Sequence, residues 1–396
     1  MLLILSFHFL LLNVKKYVYC KKRKRMAIDR IEIENFKSIK EATISLSPIN
    51  ILIGPNGAGK SNFINFLKLI NIIYEQRLQS FIASHGKADK FLHFGRKNSN
   101  FLSGSLIFNN EQNISTNKYE FKLVPNERDN LTIDREKSGY NNRMLYAGKE
   151  EDWTYEWSKG IDESLIKSSV SYRNKYLREY FESFKIFHFH DTSESSPLKK
   201  TNRVKDNRTL KSDGSNLAAI LYRLKKNKEY AVYYKFIVKT IQSVVPFFED
   251  FDLAPDEDDK EYIELVWKEK NKEQYFNAKD LSDGTLRFIA LTTLFLQPNL
   301  PKTIIIDEPE LGLHPFAVNK LCAMVRSASK KSQIIISTQS VNFINNFKPA
   351  DIIVVDRNEK SESVFSRLEE NDLSSWLNDY SLGEIWEKNI IGGRPV

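Results

Sequence analysis

The spacing Gly-x-x-x-x-Gly-Lys-Ser at residues 54–61 is the part of this sequence whose residue types most clearly predict a chemistry. A short apolar run, Ile51–Ile53, precedes it and apolar residues at helical spacing follow it, which is the strand–loop–helix context of a phosphate-binding loop. Glycine permits backbone conformations in which main-chain N–H groups and the helix N-terminus surround an anion. Lys60 is expected to contact the β- and γ-phosphates of a nucleoside triphosphate, and the Ser61 hydroxyl to ligate Mg²⁺. The residues predicted to bind ATP in this loop are Gly54, Pro55, Asn56, Gly57, Ala58, Gly59, Lys60, Ser61 and Asn62.

Two more predicted strands end in polar groups that could act on a nucleotide. The apolar run Thr303–Ile306 is followed by Asp307 and Glu308, and a second apolar run ends shortly before Gln339. Such runs are typical of central parallel strands covered on both faces, and ligands gather at the carboxyl ends of these strands. Asp307 is therefore predicted to ligate Mg²⁺ together with Ser61. Glu308 is predicted to act as the general base toward the attacking water.

The elements predicted around these motifs are those of an α/β protein. Predicted strands cover residues 28–36, 42–46, 101–108, 118–124, 131–136, 143–146, 185–190, 248–253, 262–268, 303–308, 333–337 and 351–356. Predicted helices run from the phosphate loop to about residue 74, over most of 153–182, over 212–224, 230–245 and 315–329, and onward from residue 285. The polar residues 191–211 are expected to form a linker or mobile loop. The acidic run 256–259 is expected to be a solvated turn rather than a metal site.

Residues 1–25 differ in composition from the rest of the chain. Their apolar run ends at Val14, short of the roughly 20 residues that a bilayer-spanning helix needs, and basic residues follow it rather than precede it. We therefore favour Met26 as the initiator, with a membrane anchor over residues 1–14 as the alternative. The leader holds seven Lys or Arg residues and no acid, so residues 26–396 carry +1 of the chain's net +8. Bulk charge therefore says little about nucleic-acid binding.

Cysteine usage predicts a cytoplasmic protein. Cys20 lies in the leader and Cys322 in a predicted helix, so the two give no disulfide framework. No low-complexity tract and no repeat of 20–50 residues occurs in the chain.

Three motifs in order, Gly54–Ser61, Leu281–Thr285 and Ile304–Glu308, resemble those of the ATP-binding-cassette (ABC) ATPases. Glu34–Ser38, ahead of the phosphate loop, resembles the RecF/SMC/OLD-like branch of these ATPases. The tail from Asp379 to Pro395 resembles a group of bacterial AAA-family ATPases in that branch. We call Leu281–Thr285 the signature.

This resemblance implies an α/β P-loop NTPase of the ABC-ATPase type, with a mixed sheet core, an antiparallel β insertion and a helical signature lobe. The implied units are 26–190 for the first ATPase lobe, 191–297 for the signature lobe and 298–396 for the return to the ATPase lobe. It further implies a head-to-head homodimer or higher homo-oligomer with ATP between protomers. Ser282, Asp283 and Gly284 would then contact the γ-phosphate on the opposite subunit's loop, and Lys37 would join the residues that bind ATP.

The sequence departs from the family pattern at two residues. Asp283 stands where the signature usually has Gly, and Gln339 stands where a catalytic His is usual. Glutamine can donate to a γ-phosphate but cannot become a cation, so Gln339 is predicted to be catalytic, and the departure bears on the hydrolysis rate and not on nucleotide binding. The usual glutamine loop is not evident, and His190–Thr192 is its candidate.

The function expected from the sequence is an ATPase that dimerises on ATP, in DNA repair or maintenance or in anti-phage defence. The alternative is a nucleotide-gated scaffold that controls an effector protein, a nuclease or a toxin encoded nearby. A transporter ATPase subunit is less favoured, because the signature at Ser282 lies far along the chain from Lys60. No nuclease motif is evident, so any cutting activity would come from a partner. DNA is a candidate ligand, and no membrane contact is expected unless residues 1–14 are present.

Overall fold

The computed structural model describes residues 27–109, 115–142 and 154–393. The strands in chain order are β1 Arg30–Phe36, β2 Ile39–Ser45, β3 Ile49–Ile53, β4 Leu102–Asn109, β5 Ser115–Pro125, β6 Leu131–Asn142, β7 Thr154–Ser158, β8 Phe184–Phe187, β9 Asn202–Arg203, β10 Phe248–Asp252, β11 Tyr262–Ile263, β12 Val266–Glu269, β13 Tyr275–Asn277, β14 Thr303–Asp307, β15 Gln333–Ser337, β16 Ile352–Arg357 and β17 Ser363–Arg367. The α-helices are α1 Lys60–Tyr74, α2 Leu78–Ser84, α3 Tyr172–Phe181, α4 Leu217–Lys226, α5 Ala231–Val244, α6 Asp283–Leu296, α7 Pro315–Ala328, α8 Val341–Ile344, α9 Glu370–Leu373 and α10 Leu382–Glu387.

A six-stranded sheet in the order β17-β16-β3-β15-β14-β8 forms the centre of the molecule. The strands from β16 to β8 run parallel, and β17 pairs with β16 in the antiparallel direction. Successive residues of β14 enter different cores: Ile304 and Ile306 pack in one and Ile305 packs in the other. Burial on both faces explains why these strands are continuous apolar runs.

The second six-stranded sheet, in the order β2-β1-β4-β5-β6-β7, is antiparallel throughout. Its inner face shares a core with α1, in which the rings of Phe66 and Phe121 stack with centroids 6.0 Å apart. Gly104 of β4 lies against both rings, and a Cβ atom there would come within 2.7 Å of each. The sheet is therefore fitted closely to the helix that follows the phosphate loop.

Residues next to the predicted initiator are part of the fold. The Ile28 backbone N–H donates to Gln333 Oε1 at 3.0 Å, and Gln333 Nε2 donates to the Ile28 carbonyl at 2.7 Å. The leader predictions fall on residues 1–25, which lie outside the described residues. Within the described part of the chain, no helix is both long enough and apolar enough to cross a bilayer.

The prediction of helix over most of 153–182 is wrong. Residues 154–158 form β7 and pair with β6, and helix is confined to α3. The residues Thr154-Tyr155-Glu156-Trp157-Ser158 alternate apolar and polar and are rich in β-forming types, a signal of a strand that outweighs helix propensity. The strand predicted at 143–146 lies outside the described residues.

The prediction of a linker or mobile loop at 191–211 is correct in that most of the segment is neither helix nor strand, but the segment is packed against the core. This segment contains a 3₁₀ turn at Pro197–Lys199 and strand β9, which pairs with β11. Leu198 and Leu210 are apolar residues in an otherwise polar stretch, and their burial in the core anchors it.

The acidic residues 256–259 form the expected turn, in which Asp256 Oδ1 accepts hydrogen bonds from the backbone N–H groups of Asp258 and Asp259 at 2.9 and 3.0 Å. The strand predicted at 248–253 is β10, and the strand predicted at 262–268 is divided into β11 and β12, of which β12 pairs with β10 in the antiparallel direction. The described residues contain no group of three or more acidic, histidine or cysteine side chains arranged to hold a metal ion.

The close fit of the antiparallel sheet to α1 gives a stability prediction. Gly104→Val should lower the free energy of unfolding by about 1–3 kcal/mol, because the new side chain must displace two aromatic rings. Ser103→Val is the matched control, since Ser103 lies on the opposite face of the same strand and should change stability by less than about 1 kcal/mol. Urea unfolding of both variants checks this, and equal losses would contradict the packing described.

Candidate nucleotide site

The phosphate loop joins β3 to α1 in a conformation that requires glycine. Gly54, Gly57 and Gly59 have φ values of 150°, 81° and 122°. A Cβ atom at Gly54 would overlap the carbonyl of Val355, and one at Gly59 would overlap the Ser363 hydroxyl. The loop is thus held closely by the β16–β17 hairpin, which comes from the far end of the chain.

Lys60 begins α1, and its side chain points back into the loop. It is 6% exposed, and its Nζ donates to the Gly54 carbonyl at 2.6 Å and to the Pro55 carbonyl at 3.1 Å. Burial lowers the pKa of the Lys60 ammonium, while the negative charges of Glu308 and Asp307 act in the opposite direction. The cation of the loop and the two carboxylates therefore lie within electrostatic range of one another.

Asp307 and Glu308 stand at the carboxyl end of β14, next to the end of β15. Ser337 Oγ donates a hydrogen bond to Asp307 Oδ1, and the Glu308 N–H donates to the Ser337 carbonyl at 2.9 Å. Glu308 has φ of 40°, a left-handed conformation that is uncommon for a residue other than glycine. Such strain persists where the surrounding structure imposes it, often at functional sites.

Gln339 is brought directly to Glu308, as its Nε2 donates to Glu308 Oε1. The sequence placed both residues at strand ends but gave no sign that they would touch. The hydrogen bond sets the orientation of the carboxylate that is predicted to act as base.

Glu310 is a third carboxylate at this edge, and sequence reasoning missed it. Thr338 Oγ1 donates to Glu310 Oε1, whereas Glu310 Oε2 is buried and has no hydrogen-bond partner among the described residues. Burial raises the pKa of Glu310, and the hydrogen bond from Thr338 opposes this. The sequence signal for this residue is the run Asp-Glu-Pro-Glu, whose third carboxylate follows two residues with predicted roles.

The oxygen-bearing side chains at this edge are of the kind that bind Mg²⁺ together with a nucleotide. The candidate ligands are the Ser61 hydroxyl, in the first turn of α1, and the Asp307 carboxylate. Both are hard oxygen ligands, and Mg²⁺ at such sites takes one or two protein ligands with the remainder from phosphates and water.

The turn between β1 and β2 packs on the phosphate loop through Ser38 rather than Lys37. Ser38 Oγ lies 2.6 Å from Ser363 Oγ and accepts from Asn62 Nδ2 at 2.7 Å, while Ser363 Oγ donates to the Ala58 carbonyl. Ser363 was missed because nothing in its local sequence marks it.

Lys37, predicted to join the ATP-binding residues, has φ of 50°. Its Nζ lies 5.7 and 5.6 Å from the ring centroids of Phe36 and Phe91. Burial lowers the pKa of Lys37, and the charge of Lys68 adds to this effect.

The signature begins α6. Ser282 is the N-cap, and its Oγ accepts from the Thr285 N–H at 3.3 Å. Ser282 and Asp283 are exposed, whereas Gly284 packs so closely on the Gly312 carbonyl that a Cβ atom would overlap it. The signature therefore packs on the loop that follows Asp307 and Glu308 in the same chain.

Arg287, one turn into α6, fixes this arrangement. Arg287 is 6% exposed, and its guanidinium donates to the carbonyls of Phe189 at 2.9 Å, His190 at 3.0 Å and Leu311. The candidate glutamine loop, His190–Thr192, thus contributes a backbone carbonyl to the signature helix, and its side-chain role stays a prediction. Asp191 accepts from Ser193 N and Oγ at 3.0 and 2.6 Å, in a local turn.

Comparison with known proteins gives a family match and similar folds. Residues 49–345 match a family described as "AAA domain, putative AbiEii toxin, Type IV TA system". This span contains the phosphate loop, the signature, Asp307, Glu308 and Gln339.

One curated relative is a Mycoplasma genitalium protein named "Putative ABC transporter ATP-binding protein MG303", 30% identical over 126 residues. The match covers 31% of this chain and 33% of that protein, so the chain spans about a third of the relative's length.

Two solved structures share most of the architecture. An SmcHead bound to the C-winged helix domain of ScpA gives a TM-score of 0.58 at 16% identity, covering 87% of this chain and 99% of that one. An Smc head domain with an extended coiled coil, bound to the C-terminal domain of ScpA from Pyrococcus furiosus, gives 0.54 at 15% identity, covering 89% and 99%. At such identities the likeness shows the fold, and it confirms the predicted P-loop ATPase architecture. The chain belongs to the AAA-domain family that matches residues 49–345, and its fold is that of the Smc head ATPases.

Proposed function

We propose that this protein binds ATP with Mg²⁺, hydrolyses it, and dimerises head to head around the bound nucleotide. The observation that carries the proposal is the meeting of three strand ends at one edge of the central sheet. The phosphate loop follows β3, Asp307 and Glu308 end β14, and Gln339 follows β15, which lies between the other two strands. Family membership supports the same chemistry.

Binding rests on the loop and on Lys60. Backbone N–H groups at the α1 N-terminus favour an anion, and Lys60 supplies a positive charge already directed into the loop. In this proposal Ser61 and Asp307 hold Mg²⁺, which would neutralise charge on the phosphates. The hydrogen bond from Ser337 keeps the Asp307 carboxylate oriented toward that task.

Hydrolysis rests on Glu308 as the general base. The Gln339 amide donates to one carboxylate oxygen, which leaves the other free to accept a proton from the attacking water. Gln339 cannot carry a positive charge, so it cannot stabilise the transition state as an imidazolium would. We therefore expect slow turnover, which suits a protein that uses ATP as a timer.

The position of the signature supports the proposed dimerisation. Ser282 and Asp283 are exposed at the N-terminus of α6, so both could reach a partner. Gly284 packs against the Gly312 carbonyl of the same chain. A helix N-terminus with an exposed hydroxyl suits the γ-phosphate on a partner's loop. We also propose three units: a first ATPase lobe at 26–190, a signature lobe at 191–297, and the return to the ATPase lobe at 298–396.

For the biological role, we infer a cytoplasmic defence protein whose ATP-bound dimer controls an effector, a nuclease or a toxin. The family description, which names the AbiEii toxin and a type IV toxin–antitoxin system, favours this role. The two Smc heads were crystallised with bound domains of ScpA, and this favours a protein partner for the present chain as well. DNA repair or maintenance is the second candidate, supported by the Smc-like fold. A transporter role rests on a local match over a third of one relative.

The Glu308→Gln variant tests the proposed function. The amide cannot accept a proton, so ATP turnover should fall by roughly 100-fold or more while ATP stays bound. The variant should elute as an ATP-dependent dimer in size-exclusion chromatography. Glu359→Gln, at an exposed turn, is the control and should behave as the parent. A Glu308→Gln protein that stays monomeric and hydrolyses ATP at the parent rate would contradict both the base and the dimer.

Mixing two inactive variants tests whether the site is shared. Ser282→Arg should leave ATP binding by the protomer intact but block dimerisation, because the long side chain has no room in a closely packed interface. Lys60→Ala should lose ATP binding. In a mixed dimer one site has an intact loop facing an intact signature, so hydrolysis should reappear on mixing, provided that one intact site holds the dimer.

Ser327→Arg, on the exposed face of α7, is the control for adding an arginine and should keep parent activity. Parent-like hydrolysis by Ser282→Arg alone would show that Ser282 is only a helix cap.

A further inference from the structure

An ion pair stands at the signature residue that departs from the family pattern. Lys199 Nζ lies 3.8 Å from Asp283 Oδ1, and the two side chains differ sharply in exposure, 7% for Lys199 and 67% for Asp283. Asp283 thus presents its carboxylate to solvent while a buried ammonium lies behind it.

The position of Lys199 is fixed by the 3₁₀ turn Pro197–Lys199. Ser196 Oγ accepts from the Leu198 N–H at 3.2 Å and donates to the Asp191 carbonyl at 2.6 Å, which closes the turn. Leu198 is 3% exposed and packs so near Gly214 that a Cβ there would overlap it. Lys199 is therefore held by a packed element rather than by a free surface loop.

Other charged groups near the pair form hydrogen bonds of their own. The Asp191 carboxylate is engaged by Ser193, and Asp280 accepts from the Asn277 N–H at 2.8 Å. Arg287, another buried cation of this region, donates to backbone carbonyls and keeps its charge, which also interacts with Asp283, whereas Lys199 forms the ion pair with that carboxylate. Asp283 is the ion-pair partner of Lys199 in the part of the chain that the structure describes.

Asp283 poses an electrostatic problem for the proposed dimer. A carboxylate at the face that receives a partner's γ-phosphate would repel it, and such like-charge repulsion grows as the interface excludes water. Lys199 supplies a positive charge 3.8 Å from that carboxylate, which opposes the repulsion.

We propose that Lys199 is a positioning residue that neutralises Asp283 and so allows the signature to receive the partner-bound triphosphate. It acts through Asp283 and does not itself contact the phosphate. This inference rests on the proposed ATP-dependent dimer.

The test measures the dimer dissociation constant by sedimentation velocity with ATP and Mg²⁺, in the Glu308→Gln background. Lys199→Met should weaken the dimer by on the order of 100-fold, the scale of an uncompensated like charge near a phosphate. Adding Asp283→Asn to Lys199→Met should return the dimer to within about tenfold of the background protein. Lys200→Met, at the exposed neighbouring lysine, is the matched control and should change nothing.

Thermal unfolding and ATP binding by the protomer should be the same in all variants, which separates this effect from misfolding. An unweakened dimer in Lys199→Met would overturn the inference. A double variant as weak as Lys199→Met would also overturn it, since Lys199 would then act on the phosphate or on packing. If the background protein itself forms no dimer with ATP, the proposed dimer fails, and this inference with it.

Discussion

The structure depends on burying three parallel strands, β3, β15 and β14, on both faces at once. Their side chains alternate between two cores, one with α4–α7 and one with α1 and the antiparallel sheet. Polar side chains are therefore found at the ends of these strands, where the chain emerges from the two cores. Because the strands are parallel and in register, their polar groups emerge at one edge, and this edge becomes the candidate nucleotide site.

The end of β15 orients the carboxylates that follow β14. Three consecutive residues, Ser337–Gln339, each donate a side-chain hydrogen bond to one of the carboxylates within Asp307–Glu310. The left-handed backbone at Glu308 accompanies this arrangement. A sheet register that is fixed by apolar packing thus sets the orientation of the chemical groups, and a shift by one residue would separate every pair.

Sequence reasoning recovered the features that are encoded locally. The phosphate loop, Asp307, Glu308 and the signature have characteristic residues next to characteristic strands or helices, so their places in the fold could be predicted. It did not recover Ser363 or Lys199, which lie next to the loop and the signature only because distant segments fold together. The packing of residues 191–211 was missed for the same reason: their polar composition concealed two buried leucines, Leu198 and Leu210.

The central claim is that the loop at residues 54–61 binds ATP through Lys60, and isothermal calorimetry with ATP and Mg²⁺ tests it most directly. The account predicts saturable binding by the parent protein and a loss of more than roughly 100-fold in Lys60→Ala, because the buried cation aimed into the loop is removed. Lys68→Ala, two turns further along α1, should bind as the parent does. Unchanged ATP affinity in Lys60→Ala would contradict the account.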